Sequence, residues 1–330
     1  MPYWAVAHLS HHESLMISHS TAEPIQGVVS ASVVARTEQR LLAATMVIVP
    51  FVGTVGAVLL AVTGHAVGRC ELALFAVMYL FSAIGIEVGF HRLFSHGAFV
   101  PVGWLRALLA IAGSMAAQGP VVFWVATHRR HHAFSDRAGD PHSPHMFGTK
   151  ALSGLRGLWH AHVGWLFVAE ITDWTRYAPD LVKNRTILKI NQHYLFWLVL
   201  GLIAPAIVGA LVHRTVMGFL LGLLWGGFVR IFVLHHMTWG VNSLCHVFGM
   251  RRLKTRDQSS DLAWLALGSL GGAWHNVHHA FPSLASNRLL WWQMDLSGSV
   301  ISLFGLLGIA RDIRYPTSKM RAAARAPSPR

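Results

Sequence analysis

Four stretches of this chain are long, apolar and uncharged, and they constrain its fold more than any other feature. Leu41 to Thr63 runs 23 residues without Asp, Glu, Lys or Arg, enough helix to cross the hydrocarbon core of a bilayer. Leu72 to Ile86 is uncharged and is extended through Glu87 to Phe90. Tyr194 to Val212 is uncharged over 19 residues, and Thr215 to Val229 continues past Arg230 to Leu234. In lipid a helix satisfies its own backbone hydrogen bonds, whereas an open sheet edge does not. The pattern predicts an all-α integral membrane protein with spans at about 41–63, 71–90, 194–212 and 215–234, joined as two hairpins by short connections.

Composition excludes the competing classes. Only 12% of the 330 residues are charged and 53% are hydrophobic, where a soluble domain carries roughly 25% charged residues. A disordered chain and an ordinary soluble enzyme are therefore ruled out. Two cysteines, Cys70 and Cys245, cannot build a disulfide framework. The net charge of +13 has an unequal distribution. The hairpin connections hold one cation each, Arg69 and Arg214, whereas His91 to Lys189 and His235 to the end hold eleven each. This asymmetry places both termini and both long polar segments in the cytoplasm, facing anionic lipid rather than nucleic acid. The expected divisions are a disordered cytoplasmic tail at 1–40 without a cleavable signal, a membrane domain at 41–312 and a disordered basic tail at 313–330. A fifth apolar segment, Ala107 to Thr127, is interrupted by Gln118-Gly119-Pro120, and proline breaks a helix interior.

The chemistry lies in 22 histidines, one residue in fifteen. His91 and His96 are five apart at the end of the second span. His128, His131 and His132 form an H-x-x-H-H cluster, as do His275, His278 and His279. Asn242 and His246 follow the fourth span. Residues four apart share a helix face, so His128 and His132 can hold one metal while His131 turns toward another. The same holds for His275 and His279, with His278 diverging. Imidazole suits iron, copper and zinc, and nine rings exceed one ion's coordination but fit two. Ala107 to Thr127 either spans or lies in the interface; because all these histidines must meet at one centre, it is expected to dip into or lie on the cytoplasmic interface.

These motifs, together with Asp140-Pro-His142, His162-Val-Gly-Trp165, Trp239-Gly-Val-Asn242 and Trp291-Trp-Gln-Met-Asp295, resemble the membrane fatty acyl desaturase family, in its stearoyl-CoA and bacterial Δ9-type branch. The resemblance runs from about Gly85 to Arg311. It implies two non-haem irons in a cytoplasmic helical cap, dioxygen, external electrons and a cis double bond in an acyl chain. It implies that one iron takes His91, His96, His128, His132 and His278. The other takes His131, His246, His275 and His279, with Asn242 holding a water. A ferredoxin with an NAD(P)H reductase is the implied donor, and a bacterial-type cell membrane the implied location.

The chain departs from the acyl-CoA branch where that branch grips its head group. Ala126 and Thr127 replace an Arg-Asp pair, Ala169 and Glu170 replace a basic pair, and Gly119 replaces an asparagine. The loss of positive charge weakens phosphate recognition and opens the choice of carrier to CoA, a lipid or an acyl-carrier protein. Arg129, Arg130 and Arg137 are possible substitute cations. A di-iron hydroxylase or ketolase, and a histidine-rich metal-binding protein or transporter, compete with the desaturase reading.

Two expectations follow from helix spacing. Glu87 precedes His91 by four residues and so shares its face, where it can accept the ring's second N–H. Ser82, Tyr79 and Phe75 continue that face down the span and are expected, with Trp239, to line an acyl tunnel whose length they limit.

Overall fold

The computed structural model describes residues 28–326, apart from 31–32, 66 and 169. Most of the expected N-terminal tail lies outside the described residues. Within it Val28–Ser30 pairs antiparallel with Glu170–Thr172, and the first helix already begins at Val33, so residues 33–40 are helical rather than a disordered tail.

Four helices are long and apolar enough to cross a membrane. Helix α1 is Val33–Val62, α2 is Arg69–Ser95, α7 is Tyr194–His213 and α8 is Val216–Leu244. Leu41, Ile48, Phe51, Val55 and Leu59 of α1 are exposed, as side chains facing lipid rather than water would be. α7 and α8 pack along each other, Thr215 capping α8 by accepting from the Gly218 N–H. α1 rests mainly on α8, although its connection to α2 is short. A Cβ at Gly53 would overlap Phe228, so the missing side chain is what allows that approach.

Arg230, read as an interruption of the fourth span, is fully buried inside the helix group. Its guanidinium donates to the Gly201, Gly226 and Met115 carbonyls and to Ser82 Oγ. A buried cation held by oxygens on four segments ties the group together. α8 also runs ten residues past the expected end at Leu234, so Asn242 lies within it rather than after it.

The segment from 107 to 127 is not one helix. It breaks into α3, Gly103–Ser114, and α4, Val121–Phe134. Gly119 has φ of +95°, a left-handed value suited to glycine, and Pro120 caps α4 without needing an N–H. The turn is fixed by the Gly119 N–H donating to Tyr194 Oη and the Val122 N–H donating to Asn191 Oδ1, the latter on α6, Arg185–Gln192. α3 crosses α2 closely, since a Cβ at Gly85 would lie 2.1 Å from Gly113 N. Phe90, Phe94, Leu109, Val125 and Ile187 fill the main core between these helices.

A second core of Val241, Cys245, Trp274, Leu289 and Leu290 lies under the third histidine cluster. It corrects the reading of residues 313–330 as wholly disordered. Helix α11, Ser318–Arg325, is capped by Thr317 and packs Met320 and Ala324 onto this core. Two apolar residues four apart give an Ala- and Arg-rich segment a face to dock.

Candidate metal centre

Local helix geometry places each histidine. His91 and His96 are five apart, which in an α-helix points them about 140° from one another. From Gly85 to Ser95, however, α2 is π-helical, and i to i+5 pairing brings residues five apart onto one side. The second cluster lies on α4. The third lies on the short helix α9, His275–Ala280. Asn276, fully buried, holds α9 by accepting from the Arg252 and Leu253 N–H groups and donating to the Leu253 and Ser259 carbonyls. Asp261 Oδ1 accepts from the Asn276 N–H. His246 follows α8, four residues after Asn242.

The rings converge in two groups. His91, His96, His128, His132 and His278 form one, and His131, His246, His275 and His279 the other; within each, the candidate donor atoms lie within 4.8 Å of one another. Nε2 atoms face each other at 2.9 Å for His91 and His278, 2.8 Å for His96 and His128, 2.9 Å for His132 and His278, and 3.0 Å for His246 and His275. Nitrogens about 2.1 Å from one ion and at right angles around it sit about 3.0 Å apart. Four rings place Nδ1 against a carboxylate: His91 on Glu87 at 3.0 Å, His131 on Asp140 at 3.0 Å, His246 on Asp136 at 2.8 Å and His279 on Asp257 at 2.7 Å. Neutral, such a ring keeps its proton on Nδ1, donates it to the carboxylate, and turns an Nε2 lone pair inward. Lone pairs crowded in this way are relieved by a cation, so the donor set fits two metal ions.

Electrostatics favours the ligand form of most rings. Burial, and then neighbouring rings, pushes His128, His132, His275 and His278 well below the usual imidazole range. His279 lies at about 4, chiefly through burial. His131 goes the other way, because Asp140 outweighs the burial that would lower it. Burial would raise Asp136, but the His246 hydrogen bond and charge hold it at about 2. Asp140 and Asp257 are likewise held low against burial by His131 and His279. The rings that burial pushes down are neutral and ready for metal without first losing protons.

Glu87 sits where helix spacing put it. Glu87→Gln is expected to leave the fold intact and weaken metal retention by about 10- to 100-fold. Dialysis against a chelator followed by metal analysis measures this; retention equal to wild type would make Glu87 a packing residue.

A cavity reaches the rings from one side. Phe123, Trp124, His128, His142, Trp239 and Asn242 line it. It shares Met46, Phe123, Thr127, Trp165 and Leu166 with a larger, mostly apolar cavity that runs out between the first turns of α1 and α7. Phe75, Tyr79 and Ser82 are not in these linings; they lie further along α2. Ser82 is bonded to Arg230, while Tyr79 Oη donates to the Gly268 carbonyl at 2.5 Å and stacks on Phe75. Gly119, Thr127 and Glu170 line the outer cavity. Arg130 lies there too, but it is buried and paired with Glu170 at 2.8 Å. Arg129 is spent on Asp180 and on three backbone carbonyls. Arg137 lies on another face, beside His132 and His279.

Comparison with known proteins decides the family. The profile described as Fatty acid desaturase matches residues 70–293, over half the chain. The chain belongs to the fatty acid desaturase family. The chain is 44% identical over 275 residues to the hex-5-enoyl-[acyl-carrier protein] acetylenase of Moorena producens, covering 83% of this chain and 85% of that one. It is 36% identical over 248 residues to Delta-9 acyl-lipid desaturase 1 of Arabidopsis thaliana, covering 74% and 75%. It is also 36% identical over 245 residues to the sn-1 stearoyl-lipid 9-desaturase of Synechocystis, covering 73% and 71%. It is thus an oxidoreductase acting on acyl chains.

The carboxylates Asp136, Asp140 and Asp257 escaped sequence reasoning as partners of the rings. Asp136 and Asp140 closely follow the second cluster, which is a usable signal. Asp257 comes from an irregular loop and gives none.

Proposed function

We propose that this desaturase inserts a cis double bond into a saturated acyl chain at two iron ions held by the nine histidines, with Asn242 presenting a water. The convergence of the rings into groups of five and four carries this reading. Bound there, the irons would supply dioxygen reduction and removal of two hydrogen atoms. One saturated chain, one O2, two electrons and two protons give one alkene and two waters. The protein's part is to bind, orient and exclude water. Trp239 and Trp124 wall the cavity beside His128 and fix which methylenes approach. Tyr79, stacked on Phe75 and tethered to Gly268 outside the two cavities, would limit the methyl end of a chain that passes the rings along α2, while Ser82 serves Arg230. The rings face the cytoplasm of a bacterial-type membrane, and a ferredoxin with an NAD(P)H reductase supplies electrons.

The carrier is a membrane lipid or an acyl-carrier protein rather than CoA. Among the described residues the outer cavity is lined by one cation, the buried Arg130, already neutralised by Glu170, and a CoA head group needs free positive charge. Δ9-type insertion fits the acyl-lipid relatives; insertion near a chain terminus fits the name of the Moorena relative, and the same measurement separates them. Acyl chains of increasing length, offered on lipid, carrier protein and CoA, are analysed by mass spectrometry. An alkene from the first two carriers is expected, with longer chains accepted by Tyr79→Ala. An alcohol or ketone would make the protein a hydroxylase or ketolase, and metal uptake without product a metal-binding protein.

A further inference from the structure

The metal centre is approached from two sides, and the second has no part in holding the acyl chain. The acyl cavity arrives past His128 and Asn242. A separate polar cleft arrives past His132 and His279. These two rings belong to different groups, lie at the floor of the cleft with the His279 side chain 1% exposed, and stack at 4.5 Å with 23° between planes. Arg137, Lys254 and Arg256, all exposed, rim the cleft. α11 docks through Met320 and Ala324 onto the core that includes Leu253, the residue before Lys254.

We infer that this cleft is the docking surface for a small acidic one-electron carrier protein, which delivers electrons through His132 and His279 at the cleft floor. The inference rests on the desaturase reading above, which requires two electrons from outside for each double bond. Each carrier molecule is oxidised by one electron, so two dock in succession. Charge complementarity selects an acidic partner. Docking here leaves the acyl cavity free, so electrons can arrive while the chain is bound.

The test uses the full-length desaturase in nanodiscs and a plant-type [2Fe–2S] ferredoxin as probe. Affinity is measured at low and high salt for wild type and for the triple variant Arg137→Glu/Lys254→Glu/Arg256→Glu. Expected results are a loss of affinity of about 10-fold or more in the variant, and weakening of wild-type binding as salt screens the rim. Product formation driven by dithionite with methyl viologen, which needs no docked protein, should be unchanged, showing that the variant is folded. Equal ferredoxin affinity in the two proteins, or salt-independent binding, would overturn the docking surface. Absence of alkene from either protein with either reductant would instead overturn the desaturase reading.

Discussion

His275→Ala is expected to abolish product formation and to lower metal content by at least about half. His275 is the cleanest test of ligation because its other ring nitrogen does nothing else. Nδ1 is buried without a partner, while Nε2 lies 3.0 Å from His246 Nε2. The substitution therefore removes one inward nitrogen and no carboxylate contact. Losing an outer partner already costs about 10- to 100-fold, and losing the ligand costs more. Plasma mass spectrometry for metal and a product assay read the two effects separately. Full product from His275→Ala would remove it from the ligand set.

The second large effect concerns stability. Arg92, next to His91, forms a two-pronged pair with Asp295 at 2.8 and 3.0 Å, and both side chains are 1% exposed. Asp295 in turn caps α10, Leu296–Leu306, by accepting from the Gly298 N–H, and also accepts from the Asn287 N–H. Arg92→Met leaves a buried carboxylate unpaired, a cost of about 3–5 kcal/mol. Thermal unfolding should fall sharply, and Arg92→Met/Asp295→Asn should recover part of the loss, because the pair is coupled. A single variant that melts with wild type would show that the pair contributes little.

What could be read from the residues divides along physical lines. Charge-free length exposed the four long helices, and i to i+4 spacing separated His131 from His128 and His132 as the structure does. The five-residue step from His91 to His96 was opaque, because no side-chain pattern announces a π-helix. The extent of α8 was underestimated because hydropathy falls after Leu234, whereas packing carries the helix on to Leu244. The docked α11 was missed because two apolar residues in an Ala- and Arg-rich run give a weak periodic signal. Phe75, Tyr79 and Ser82 share a face as read, but contact with Arg230 and Gly268 depends on segments more than 140 residues away, which local spacing does not encode.

α4 sends His128 and His132 to one group and His131 to the other, and α9 sends His278 to the first and His275 and His279 to the second. An ion captured by either group therefore fixes both helices, meeting in advance much of the ordering cost of the other site. Were each group to take an ion, uptake at one would be linked to uptake at the other through these two shared helices.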